Sequence, residues 1–149
     1  MAEIRWELKS FGELGTDELY DILALRAGVF VVEQECPYLD PDGKDRKAWH
    51  LAGYRDGRLA GYARIFGPGD YFDECSIGRV VTAPAERRSG IGHELMRHAA
   101  EAILRLFGDV PVTISAQQHL EKFYNAHSFE TVGEPYPEDG IPHVRMRRG

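Results

Sequence analysis

Arg87-Arg88-Ser89-Gly90-Ile91-Gly92 is the stretch of this chain best suited to hold a charged ligand. An apolar, β-branched run, Ile77 to Thr82, leads into it, and a helix-patterned segment, Gly90 to Leu106, leads out. Glycines in such a turn let an anion approach the backbone. The first amides of the helix have no intrahelical partner, and the helix dipole favours negative charge there. Arg87 and Arg88 add fixed positive charge, so the predicted chemistry is the binding of a phosphate-bearing molecule. A dinucleotide fingerprint would need G-x-G-x-x-G after the first strand, but His93-Glu94-Leu95 follows Gly90-x-Gly92 without a third glycine. A P-loop would need Gly-Lys-Ser/Thr, which is absent. An ordinary strand-to-helix turn with solvated arginines remains open, and two glycines with two arginines do not by themselves decide against it.

The other chemistry-bearing residues are scattered. Cys36 and Cys75 are the only cysteines, too few and too far apart for a disulfide framework or a metal set, and read as reduced. His50, His93, His98 and His119 show no H-x-x-x-H spacing, so no metal is expected.

The elements that must position the turn follow from periodicity. Ile4-Arg5-Trp6-Glu7-Leu8 alternates as a half-buried strand. Thr16 or Asp17 caps a helix carrying Leu19, Ile22, Leu23, Leu25, Arg26 and Val29-Phe30. Cys36 to Gly43 is a rigid, turn-rich loop. Trp49–Tyr54 and Leu59–Phe66 flank Asp56-Gly57 as a β-hairpin. After the strand Ile77 to Thr82 and the turn, Ile91, Leu95, Ala99, Ala102, Ile103 and Leu106 line one helix face. Val110 to Ser115 reads as a strand, Gln117 to His127 as a helix, and Phe129 to Val132 and His143 to Met146 as closing strands. The order β-α-β-β-β-α-β-α-β-β predicts an α/β fold, a mixed, mostly antiparallel central sheet flanked by helices, in one domain over residues 1–149.

At 149 residues and net charge −6, the chain suits a small anionic ligand better than nucleic acid or an anionic membrane. Met1-Ala2-Glu3-Ile4-Arg5-Trp6 has no signal-peptide pattern and no segment reaches membrane-spanning length, so the expected location is the cytoplasm. A symmetric homodimer is the default assembly.

The wider spacing narrows the ligand. Val80-Val81-Thr82-Ala83-Pro84 followed by Arg87-x-x-Gly90-x-Gly92 resembles motif A of the GCN5-related N-acetyltransferases (GNATs). Leu120-x-x-Phe123-Tyr124-x-x-x-Ser128-Phe129 is similar to the family's later Phe-Tyr-x-x-x-Gly-Phe motif, with Ser128 in place of the glycine. Leu25 to Tyr38 and Asp139-Gly140-Ile141-Pro142-His143 resemble the ElaA-like branch of that family, and together these segments frame almost the whole chain.

The resemblance implies acetyl transfer from acetyl-CoA to an amine, small-molecule or peptide-borne, by direct attack on the thioester. It places the acyl group against the main chain of Val80, Val81 and Thr82, on a strand splayed from its neighbour. It places the pyrophosphate on Arg87, Arg88, Ser89, Gly90, Ile91, Gly92 and His93, with an amide contact from Gln117. It makes Tyr124 the proton donor to the departing sulfur; a helix aromatic packed beside Leu120 and Phe123 is the alternative. The base is not assigned: Ile77-Gly78-Arg79 and Val112-Thr113-Ile114 carry no carboxylate. Glu33, Glu35, Asp139 and His143 border the acceptor side in this fold and are candidates for acceptor binding or proton removal, alongside a water relay. The competing function is a non-catalytic acyl-CoA-binding module, in which Tyr124 serves packing alone.

Overall fold

The computed structural model describes residues 3–149; Met1 and Ala2, the start of the N-terminus read above, lie outside the described residues. In chain order the elements are β1 (Arg5–Ser10), α1 (Thr16–Arg26), β2 (Trp49–Arg55), β3 (Arg58–Phe66), β4 (Ser76–Thr82), α2 (Ile91–Phe107), β5 (Val112–Gln117), α3 (Glu121–Asn125), β6 (Glu130–Glu138) and β7 (Ile141–Arg148). This is the expected order. Four strands pair antiparallel as β1-β2-β3-β4, and three as β5-β7-β6. One parallel bridge, Cys75 to Val112, joins the two groups.

β3 is buried on both faces, and its alternation assigns each face a partner. Ala63 and Ile65 meet Leu95, Met96, Ala99, Ala102 and Ile103 of α2. Tyr62 points the other way, with Val81, onto Ile22 of α1 and Val29. The stripe on α2 is the one its periodicity predicts, apart from Leu106, which is only partly buried.

Several boundaries differ from expectation. The N-cap of α1 is Gly15, whose N–H donates to the Glu18 carboxylate at 2.7 Å, rather than Thr16 or Asp17. Past Arg26 the helix widens into a π-helical segment, Ala27–Glu33. The β-branched residues there crowd an α-helix, and Arg26 is anchored at its start by Asp40 and Asp45. Gln117 is the last residue of β5 rather than the start of a helix, and a 3-10 turn over Gln118–Leu120 precedes a short α3. The closing hairpin is much longer than predicted: β6 and β7 pair up to the Asp139-Gly140 turn. Both turn residues have positive φ (50° and 77°), the geometry of a two-residue type I′ hairpin.

Candidate active site between the diverging strands

β4 and β5 run together only at their start. The Thr113 N–H donates to the Cys75 carbonyl at 2.8 Å, and beyond that bridge β4 pairs with β3 alone. A β-bulge bends β4 at this level: Tyr62 faces Val81 and Arg64 faces Gly78, so Ala63 stands opposite both Arg79 and Val80. Arg79 takes the left-handed conformation this requires, with φ 49°. The divergence opens a cavity of about 390 Å³. Ile77 to Thr82 form one side, Ile114, Ser115 and Gln117 the other, and Tyr124 also lines it. The main-chain groups of β4 that face β5 are thereby left for a ligand.

The turn after β4 leads to this opening. Arg88 and Gly90 have positive φ (67° and 83°), and Gly90 caps α2 without a side-chain hydrogen bond. The first helical bond runs from the Glu94 N–H to the Gly90 carbonyl at 3.2 Å, so the amides of Ile91, Gly92 and His93 precede it. Ser89 Oγ donates to the Glu86 carbonyl at 2.6 Å, holding the turn from within. Nothing stands within 4 Å of where a Cβ on Gly90 would lie.

Of the residues predicted for the acyl donor, Val80, Val81, Thr82, Arg87 and Gln117 line the cavity, while Arg88, Ser89, Gly90, Ile91, Gly92 and His93 form the turn beside it. The Ile91 side chain is buried against the sheet, so only its main chain is offered. The His93 imidazole faces away, with Nδ1 2.8 Å from Nε2 of His127 and its ring tilted on Phe123. Arg87 makes a bidentate pair with Glu33 at 2.5 and 2.6 Å, which draws the Glu33 carboxyl below its ordinary range and ties the π-helical segment to the turn. The Gln117 amide exchanges two hydrogen bonds with Gln34 at 3.2 and 3.3 Å, a second tie across the opening.

Tyr124 lies 7% exposed, its ring edge-on to Phe123 and Phe129. Burial, with no neighbouring charge, pushes its phenol well above the ordinary value, so it stays protonated at neutral pH.

The acceptor candidates separate. Glu35 is exposed, with φ 51°, and does not line the cavity. Glu33 lines it but is paired with Arg87. Asp139 lines it from the hairpin turn, its carbonyl accepting the Cys36 S–H at 3.1 Å. His143 is buried and lines it from β7. Residues not singled out from the sequence join them: Ser115 on β5 and Glu138 on β6 line the cavity, with Tyr136 of β6 against Ser115. The Tyr136 hydroxyl and Ser115 Oγ are 2.5 Å apart, and Ser115 Oγ donates to Glu138 Oε1 at 3.1 Å.

A buried ionic cluster stands behind the wall that Arg79 and Tyr38 form. Arg26 bonds Asp40 at 2.8 Å and Asp45 at 2.7 Å, Arg64 bonds Asp42 at 2.8 Å and Asp45 at 3.0 Å, and Arg79 meets Asp40 at 2.8 Å. Burial opposes charge on Asp42 and Asp45, yet the arginines, with the Lys44 N–H at Asp42, hold both carboxyls below their usual range. Tyr38, stacked under Arg79 and bonded to Asp40 at 3.1 Å, is presented to the cavity, its phenol raised by burial to about 12. Among the described residues no cluster of His, Cys, Asp and Glu could hold a metal ion, and no helix is long and apolar enough to cross a membrane.

Comparison with known proteins matches this geometry. The profile of the family described as "Acetyltransferase (GNAT) domain" matches residues 38–148. Protein ElaA of Escherichia coli K12 is 42% identical over 147 residues, 97% of this chain and 96% of that protein. The crystal structure of E. coli ElaA superposes with a TM-score of 0.92, covering 99% of this chain and 100% of that one. A crystal structure described as an acyl-CoA N-acyltransferase from Pseudomonas aeruginosa superposes with a TM-score of 0.93 at 45% identity, over 99% and 100% of the two chains. The chain belongs to the GNAT acetyltransferase family, with ElaA among its relatives.

Proposed function

We propose that this protein is an N-acetyltransferase that carries an acetyl group from acetyl-CoA to an amine. The observation that carries the reading is the divergence of β4 from β5, which leaves β4 main chain facing a cavity lined by a buried, protonated tyrosine. The residues fit the donor. The uncapped amides of Ile91, Gly92 and His93, with Arg88, suit a pyrophosphate. The main chain of Val80, Val81 and Thr82 suits an extended amide-bearing arm and a thioester carbonyl, whose oxygen a free N–H would stabilise as charge develops. Acetyl-CoA supplies an activated carbonyl and a good leaving group. The amine nitrogen forms the new N–C bond, the C–S bond breaks with its electron pair going to sulfur, and Tyr124 donates the proton that sulfur takes.

The test is release of free thiol from acetyl-CoA against a panel of primary amines, amino acids and short peptides. Amine-dependent release above background hydrolysis, with acetylated product detected by mass spectrometry, is the expected result. Tight acetyl-CoA binding with no stimulation by any amine would replace the enzyme with an acyl-CoA-binding module.

A further inference from the structure

Ser115, Gln117, Tyr136 and His143 share one face of the β5-β7-β6 sheet, as the pairings Gln117–His143 and Tyr136–His143 require. The opposite face carries Ile114, Ala116, Val144 and Met146 into the core. On the cavity face, the imidazole of His143 meets the carboxylate of Glu138. His143 Nδ1 lies 2.7 Å from the Ile141 carbonyl, which can only accept, so Nδ1 carries the hydrogen. In the neutral ring this leaves a lone pair on Nε2, and Nε2 faces Glu138 Oε2 at 3.4 Å. The other Glu138 oxygen accepts from Ser115, itself in contact with the Tyr136 hydroxyl, which fixes the carboxylate in place. With that ring neutral, the pair presents two acceptors at the edge of the cavity, a setting for a donor with more than one N–H. The neighbouring cations do not supply it: Arg79 is bound to Asp40, and Arg145 lies over the rings of Phe72 and Tyr136.

We propose that Glu138 and His143 form the acceptor site and select an unhindered primary alkylammonium, with Glu138 binding the cation and His143 Nε2 taking its first proton. This rests on the acetyltransferase reading for its chemistry but not for its binding. One ammonium proton passes to Nε2, and Glu138 stabilises the imidazolium formed. The freed lone pair makes the N–C bond as the C–S bond breaks and Tyr124 protonates sulfur. The second nitrogen proton leaves with formation of the amide and restores the tyrosine, and the imidazolium returns its proton to solvent.

The experiment has a binding arm and a rate arm. n-Butylamine hydrochloride and Nα-acetyl-lysine methylamide, free and peptide-borne forms of one ammonium, are titrated at neutral pH while the His143 imidazole resonances are followed by NMR. The expected result is a shift of those resonances by at least one probe and about tenfold or greater loss of its affinity in Glu138→Gln; the tighter probe identifies the carrier. No shift with either probe, or equal affinity in the variant, overturns the site whatever the turnover. Binding that needs Glu138 without any acetyl transfer keeps the site and removes the acetyltransferase reading instead. In the rate arm, His143→Gln keeps probe affinity within about threefold but loses at least about tenfold in rate at pH 7. That loss shrinks at pH 9.5, because the free fraction of an alkylamine of pKa ~10.4 rises from about one part in 2,500 to about one in nine. An equal fractional loss at both pH values, as a structural role would give, overturns the assignment of His143.

Discussion

Replacing Tyr124 with Phe removes one oxygen and keeps a ring. The side chain is 7% exposed and packs edge-on to Phe123 at 5.1 Å and Phe129 at 6.2 Å between ring centroids, contacts that a phenyl ring retains. Among the described residues none is bonded to its hydroxyl, so no buried partner is orphaned and the folding cost should stay below ~1 kcal/mol. The catalytic cost should be far larger. Proton donation by a positioned acid contributes about 10²–10⁴-fold. Burial raises this phenol, which makes it a weaker acid and moves the expectation to the lower part of that range. A loss of about 10²–10³ in kcat, or ~2.7–4 kcal/mol at the transition state, follows. The assay is the initial rate of thiol release at saturating acetyl-CoA, with acetyl-CoA affinity by calorimetry and the melting temperature measured on the same preparations. Affinity should change less than about threefold and Tm less than about 3 °C. Wild-type turnover in the variant would refute the proton role. A parallel loss of acetyl-CoA affinity would move Tyr124 from chemistry to binding.

Arg26→Met leaves Asp40 and Asp45 buried without one of their cations, which should cost about 3–5 kcal/mol and lower Tm by roughly 10–15 °C in a chain of this size, measured by scanning calorimetry; a drop under about 3 °C would show that the cluster does not hold the segment between Arg26 and β2 in place. Gly90→Val forces a β-branched residue to φ +83° beside the offered amides, and acetyl-CoA affinity should fall at least about tenfold by calorimetry; unchanged affinity would remove the turn from the donor site. Burial raises the phenols of Tyr62 and Tyr124 in the folded protein, so above pH ~10 the unfolded chain releases protons that the folded one keeps. Stability should therefore be intact below pH ~10 and then fall by about 1.4 kcal/mol per pH unit for each of these tyrosines, read from urea unfolding; a flat profile from pH 9.5 to 11, or one that Tyr62→Phe does not flatten, would contradict it.

The order of the elements, the α2 stripe and the glycine-rich turn were legible because each is written in contiguous residues. A period of two marks Arg5–Ser10, a period of 3.6 marks Ile91–Phe107, and the turn lies between two such patterns. What was not legible depends on partners far away in sequence. The π-helical widening starts at an arginine held by Asp40 and Asp45, residues that no local pattern links to it. The bulge at Arg79 is set by its pairing with β3. The length of β6 was hidden by Pro135 and Pro137, which argue against a strand, yet β6 is an edge strand and tolerates them, with Pro135 inside a register shift. A local signal did exist. Asp139-Gly140 is the same dipeptide that marked the Asp56-Gly57 hairpin, and both adopt positive φ. Taken as a hairpin turn, it extends β6 back through Glu138 and Tyr136, and a period of two then puts both on one face.

The two halves of the cavity therefore differ in how they are encoded. The proposed donor half is largely main chain: β4 beyond the bridge and the first amides of α2, whose requirements are two glycines, a proline turn and a strand that finds no second partner. Such requirements fall within one contiguous stretch, Ser76 to His93, and many side chains satisfy them. The proposed acceptor half is built from side chains, with Ser115, Tyr136, Glu138 and His143 contributed by three strands and brought together by register. A one-residue slip in β7 would turn His143 to the core face and Val144 to the cavity. If the proposed acceptor site holds, specificity for the amine is tied to the pairing of β6 with β7, and substitutions around Asp139-Gly140 should alter acceptor choice before they alter affinity for acetyl-CoA.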